Sequence, residues 1–325
     1  MTLILLTGAG FSRNWGGWLA NEAFEYILGH PTISKALRTR LWEDKVQRRG
    51  FEDTLGELQR QKRKGDQTAA EMVREFMAGL VAMFDVMNQG LSAAKFESQT
   101  DPSQTDASMY VRRFLARFHY IFTLNQDLLL ESHYLKNGID LSPQRQFDGV
   151  QRPGMKPLFG VGPVESWTPD LTRLRIEPRQ QPYIKLHGSS DWVRDRGEPL
   201  LVLGGGKSDE IRQDVLLHWY QDQFSAALHR HGAKLMVIGY SFSDQHINEV
   251  IGNAADRGGL TLFIVDPEGV DVLDKWKIHL HGVPPEQPLR DQLNPHIRGA
   301  SRRPLSVTFF NDGVERGKLM AFLNG

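Results

Sequence analysis

The 325-residue chain contains no cysteine. That excludes a disulfide framework, a thiol nucleophile and a Cys-ligated zinc site together. It also has no net charge, with 39 Lys+Arg against 39 Asp+Glu. A dominant nucleic-acid groove tilts that balance toward basic, so direct nucleic-acid binding is not expected. Neutrality does little to oppose self-association, and a homo-oligomer is expected. No apolar run approaches the roughly 18 residues of a membrane span. The N-terminal run Leu3 to Leu6 lacks a basic lead-in and is too short for a signal peptide. The expected location is therefore cytoplasmic. A full GxGxxG fingerprint and an internal repeat are both missing.

What is present is an alternation of short apolar runs with amphipathic stretches. Leu3-Ile4-Leu5-Leu6-Thr7 reads as a strand buried on both faces, and a helix is predicted from about Trp18 to Leu28. Residues 31 to about 96 read as mostly helical, with basic clusters such as Arg60-Gln61-Lys62-Arg63-Lys64 on a solvated face. Ser98 to Ser108 reads as a polar loop. Further strands are predicted at Tyr120–Thr123, Tyr183–Leu186, Pro199–Leu203, Lys234–Ile238 and Leu260–Val265. Helices are predicted at Asp214–His229 and His246–Ala255. Residues 136 to 182 are rich in Pro, Gly and Arg and read as irregular. Beyond about residue 270 the pattern is weak, with Pro284, Pro285 and Pro288, and Val307 to Phe310 reads as an edge strand. Such alternation gives an α/β fold, a mostly parallel sheet with helices on both faces. Ligands bind such sheets outside the carboxyl ends of the strands.

The polar and Gly-rich clusters lie at those ends. Gly8-Ala9-Gly10-Phe11-Ser12 closes the first strand; its glycines suit a tight turn against a pyrophosphate, or a plain strand-to-helix turn. Thr123-Leu124-Asn125-Gln126-Asp127 closes the second, where Asn125 and Asp127 suit holding a ribose hydroxyl or a water, or capping a helix. His187, followed by Gly188, is placed as a general base or as a structural histidine. Gly239-Tyr240-Ser241-Phe242-Ser243-Asp244-Gln245-His246 offers small residues to a ribose or phosphate. Within it, Asp244 reads as a helix cap, and His246 and Asn248 read as helix-surface residues. Asp266 fits a ribose hydroxyl acceptor or a turn before Pro267.

In combination, LLTGAGFS, FTLNQD with Leu128-Leu129-Leu130-Glu131, KLHGSSDW and VIGYSFSDQHIN resemble the sirtuin-like (silent information regulator two type) family. The likeness is closer to its bacterial anti-phage branch than to the protein-deacylating sirtuins. The motifs match in order and spacing from residue 3 to 266. The resemblance implies a Rossmann-like NAD-binding domain over residues 1–270, with its core at 1–30 and 111–270 and a helical insertion at 31–110. Residues 271–325 form a C-terminal extension, expected to serve oligomer or partner contact. It implies that Gly8, Ala9, Gly10 and Ser12, with Phe11 in the same turn, line the phosphates and nicotinamide ribose. It places Asn125 and Asp127 at the nicotinamide end, makes His187 the general base, and gives Gly239, Ser241 and Asp266 to the adenosine side.

Two departures from the family pattern matter. Deacylating sirtuins carry four zinc-binding cysteines, and none is present, which favours water over an acyl-lysine as acceptor. Gln126 stands where the family has an apolar or aromatic residue. The implied activity is an NAD+ hydrolase (NADase) releasing nicotinamide and ADP-ribose, with NAD as substrate and no metal, an effector of anti-phage defence. A HerA-type ATPase or an Argonaute-type sensor is the implied partner. The competing readings are an NAD-dependent protein deacylase and a non-catalytic NAD or ADP-ribose scaffold.

Overall fold

The computed structural model describes residues 1–97, 110–136, 146–158, 166–195, 197–204, 206–278 and 289–325. The expected loop at Ser98–Ser108 and the prolines 284, 285 and 288 lie outside them. Eleven strands are described: β1 (Thr2–Thr7), β2 (Tyr120–Thr123), β3 (Gly149–Gln151), β4 (Met155–Leu158), β5 (Ser166–Pro169), β6 (Gln180–Lys185), β7 (Gly188–Val193), β8 (Pro199–Leu201), β9 (Ala233–Ile238), β10 (Thr261–Val265) and β11 (Ile297–Ser301). Seven of them form one parallel sheet in the order β11-β10-β9-β1-β2-β6-β3. The other four form a smaller sheet, β4-β5-β7-β8.

The apolar runs dictate this burial. Along β1, Leu3 and Leu5 enter one core while Ile4 and Leu6 enter the other, because successive side chains leave opposite faces of a strand. Neighbouring strands repeat the division: Met236 and Ile238 lie on the first face, and Leu235 and Val237 on the second. The first face is covered by α2 (Ala20–Gly29), α3 (Lys35–Val46), α4 (Phe51–Arg63), α5 (Gln67–Ser92) and α6 (Val111–Leu115), which follow the short α1 (Ala9–Arg13). The second face is covered by α8 (Val215–Leu228) and α9 (Gln245–Gly258), with α7 (Lys207–Gln213) leading in. Asp214 caps α8 by accepting from the N–H groups of Leu216 and Leu217, both at 3.1 Å. The helix buries Leu217, Tyr220, Phe224 and Leu228 as one stripe. Phe224 packs edge-on against Phe122 at 4.9 Å between centroids, and burying such a ring contributes about 1.5–3 kcal/mol.

The structure departs from the sequence reading within residues 136–182 and again at residues 307–310. Residues 136–182 are not wholly irregular: β3, β4 and β5 lie there. Val307–Phe310 is not an edge strand either. It overlaps helix α11 (Leu305–Thr308), and the edge of the sheet is β11, parallel to β10. After α10 (Leu289–Leu293), residues 289–325 thus close one side of the large sheet, and α12 (Gly313–Asn324) packs Leu319, Phe322 and Leu323 into the first core. Asn14 ties this segment to the Gly-rich turn. Its side chain donates to Gly10 O and Phe11 O and accepts from Leu305 N at 2.8 Å. Among the described residues, no helix is long and apolar enough to cross a membrane.

Candidate active site

The chain runs from β1 to β2 and β6 on one side of the sheet, then crosses to β9, β10 and β11 on the other. The order therefore reverses between β1 and β9, and the crevice at such a switch point is where open α/β sheets take ligands. Gly8-Ala9-Gly10 and Gly239 stand on its two walls. Gly239 has φ +63°, and a Cβ there would lie 2.3 Å from Gly10 C and Phe11 N. Gly8 N–H donates to Ile238 O at 3.0 Å and Gly10 N–H to Gly239 O at 2.9 Å. The glycines thus join the two turns backbone to backbone. Residues 9–13 are wound as α1 directly after Gly8, while Phe11 is buried against Trp15 at 5.2 Å. Ala9 and Ser241, just beyond the ends of β1 and β9, are exposed. Asp266 closes β10, and its Oδ1 accepts from Glu268 N at 2.9 Å, a turn contact.

Under the first turn lies a buried polar chain. Thr7 and Thr123 join their hydroxyls at 2.7 Å, and Asn125 N–H donates to Thr123 Oγ1 at 3.0 Å. Asn125 Nδ2 donates to Ser12 Oγ at 2.9 Å, and the Ser12 hydroxyl is bonded in turn to Asp127. Burial pushes the Asp127 carboxyl above the usual range, against the pull of Lys185 and of the bonds from Leu129 and Ser12. Asp127 Oδ1 also accepts from Leu129 N at 3.0 Å, so it organises the turn as well. Lys185, fully buried, donates to Asp127 O at 2.6 Å and to Glu131 Oε1 at 2.8 Å. Glu131 is presented by a π-helical turn, Glu131–Leu135, a distortion common at functional sites. Asn88 on α5 braces the same loop, accepting from Leu128 N and donating to Ser190 Oγ.

His187 sits where the chain leaves the large sheet for the small one. Gly188 makes the turn at φ +75°, and a Cβ there would be 2.0 Å from Leu200 O. Gln126 is buried, and its amide donates to His187 O at 3.1 Å and Val202 O at 2.9 Å. It therefore stitches the His187 backbone to the segment after β8. The His187 ring is 3% exposed, with its Nε2 3.1 Å from Nε2 of His246. Beside the pair, the Lys207 ammonium lies 2.9 Å from Asp244 Oδ1 and 2.7 Å from Glu52 Oε2. Burial pushes His187 down to about 3, with the Asp244 carboxylate opposing and Lys207 adding to the shift. Burial lowers His246 too. Burial raises Asp244, but His187 and Lys207 outweigh it and hold the carboxyl below its usual range. Burial lowers Lys207 in turn, and Glu52 and Asp244 more than reverse that.

This arrangement corrects the reading of the α9 start. Asp244 occupies the cap position without a side-chain cap bond, because its carboxylate is spent on Lys207. His246 and Asn248 are buried, not on the helix surface. Asn248 donates to Phe242 O at 2.8 Å and accepts from Tyr240 OH at 3.0 Å, holding a loop in which Phe242 has φ +54°. No sequence pattern marks Lys207 or Glu52, because α4 and α7 meet only in three dimensions. The detectable signal was positional: the first turn of a helix leaving a strand end faces the crevice whatever its polarity. His187, Asp244 and His246 bring atoms of metal-ligand type within 4.8 Å of one another. Lys207 already supplies the countercharge to Asp244 that a metal ion provides in such a set.

A parallel sheet with a glycine-lined switch point and a buried Asn, Ser and His at the strand ends defines a nucleotide-using α/β protein. The SIR2-like domain model matches residues 119–281, half of the chain, and the protein belongs to that family. No curated protein sequence matches it. Membership fits NAD use and a Rossmann-like core.

Proposed function

We propose that the protein hydrolyses NAD+ to nicotinamide and ADP-ribose. The observation that carries this reading is the gathering of Asn125, Ser12, Asp127 and His187 at neighbouring strand ends. Gly8, Ala9, Gly10, Ser241 and Asp266 line the adjoining switch-point crevice, where the phosphates and the adenosine side are accommodated. The pyridinium leaves with its bonding electrons and is neutralised by doing so, so departure needs no acid. The oxocarbenium-like ribose is then captured by water. Asn125 orients that water and His187 takes its proton. With no cysteine to build the deacylase zinc subdomain, water is the acceptor. The likeness of the four motifs to the anti-phage branch supports a role as a cytoplasmic, oligomeric defence effector. On that reading a partner, a HerA-type ATPase or an Argonaute-type sensor, releases its activity.

The test is incubation with NAD+ and no acyl peptide, with and without a HerA-type ATPase or Argonaute-type partner, read by mass spectrometry. Nicotinamide and ADP-ribose are expected in equal amounts. Asn125→Ala and His187→Ala should each lower the rate by roughly 10²-fold or more. Unchanged rates in both variants refute the site assignment. A requirement for acyl peptide points to the deacylase, and tight binding with no turnover points to a scaffold.

A further inference from the structure

We propose that His246 is the proton partner of His187, receiving at its Nε2 the proton that His187 releases from Nε2 as its Nδ1 takes one from the attacking water. The inference rests on the NAD-hydrolysis reading for the identity of that water. It rests on the geometry of the two rings for everything else.

Two Nε2 atoms 3.1 Å apart share one hydrogen. Either His187 donates and His246 accepts, or the reverse. If His246 donates, neutral His187 carries its own proton on Nδ1 and has no lone pair to offer the crevice. If His187 donates, its Nδ1 is basic, and Nδ1 is the only ring nitrogen left for substrate. A working His187 therefore needs His246 as an acceptor.

The proton balance follows. Water loses H+ to His187 Nδ1 as its oxygen bonds the anomeric carbon, whose bond to nicotinamide breaks with both electrons leaving on the ring nitrogen. The Nε2 proton of His187 moves to His246 Nε2. His187 ends neutral as the Nδ1–H tautomer, and His246 ends as imidazolium. Nothing is oxidised or reduced.

The charges around the pair favour this direction. Facing His187 are Asp244, Lys207 and His246; facing His246 are Asp244, Lys207 and also Glu249, one turn along α9. Glu52 neutralises Lys207 from α4. A positive charge thus gains a second carboxylate by moving to His246. It also moves from a residue 3% exposed to one 8% exposed. The dipole at the α9 N-terminus opposes a cation at His246, which tempers the preference. His187 alone, held to about 3 by burial, is a poor resting place for a proton at neutral pH. His246 is thus a positioning residue that acts through His187.

The test uses the full chain with selectively 15N-labelled histidine, together with steady-state NAD cleavage across pH 5–9 in H2O and D2O. In the wild type, His187 should give the Nε2–H tautomer, bonded to His246. In His246→Ala, kcat should fall roughly 10²-fold with KM within about twofold, and the acid limb of the pH profile should shift. His246→Gln keeps an acceptor for Nε2–H but cannot take the proton. It should hold the tautomer yet recover only part of kcat, with a changed solvent isotope effect. A resting Nδ1–H tautomer of His187 overturns the proposal. So does a His246→Ala variant with wild-type kcat and pH profile, or chelator-sensitive activity with bound metal at one per chain. If the wild type is inert on NAD both alone and with a HerA-type ATPase or Argonaute-type partner added, the hydrolase reading fails, and the tautomer spectrum still decides the pair.

Discussion

Replacing Lys185 by Met tests what holds the loop that follows β2. Lys185 is fully buried, and its ammonium bonds Glu131 Oε1 at 2.8 Å and Asp127 O at 2.6 Å. Methionine preserves most of the stem but strands the Glu131 carboxylate, only 4% exposed, with Tyr183 OH at 3.1 Å as its remaining partner. Breaking one side of such a pair costs about 3–5 kcal/mol, far above the ~0–1 kcal/mol of an exposed pair. Lys185→Met/Glu131→Leu removes both charges and should recover most of that loss. It should stay about 1–2 kcal/mol below wild type, because Asp127 O and Tyr183 OH each lose a partner. Urea denaturation of the wild type, both single variants and the double variant closes a double-mutant cycle, with a coupling of at least about 2 kcal/mol expected. A single-variant loss under about 1 kcal/mol, or losses that simply add, would show that the reasoning about this buried pair is wrong.

Two further outcomes follow from the same structure. His187 is neutral in the fold down to about 3, whereas the unfolded chain protonates near 6.5. The unfolded state therefore binds the proton first, and stability falls as pH drops from about 6.5 toward 3. At 1.36 kcal/mol per pH unit, that is about 2 kcal/mol by pH 5. The stability difference between pH 7.5 and pH 5 should shrink in His187→Gln, and an identical difference in both proteins counts against the assignment. Gly239→Ala should cost more than the ~1–2 kcal/mol of a left-handed alanine, because its Cβ meets Gly10 C at 2.3 Å. It should also weaken NAD binding by calorimetry; wild-type stability and affinity would contradict the close turn packing.

The strands that build the site were legible because each is a run of residues buried on both faces. β1, β2, β6, β9 and β10 announce themselves in that way. β3, β4 and β5 do not, being short, partly exposed and drawn from a stretch rich in Pro, Gly and Arg. β11, Ile-Arg-Gly-Ala-Ser, buries only Ser301 and has no apolar signature. The apolar Val307–Phe310 invited a strand reading that a short helix fulfils instead. At the site, Asn125, Asp127 and His187 stand out because polar residues end apolar strands. His246 and Asn248 look like any polar helix start, and their burial is decided by what the helix packs against. Gln126 departs from its family's pattern, and its use in tying two backbone carbonyls is invisible without the segment after β8.

The bond between Asn14 and Leu305 joins residues 291 positions apart. The Gly-rich turn is synthesised well before the residue that tethers it. Until residue 305 is in place, Asn14 lacks that partner and β10 lacks its outer neighbour. A growing chain therefore completes this edge of the sheet, and the brace on its Gly-rich turn, only after residue 305 is made.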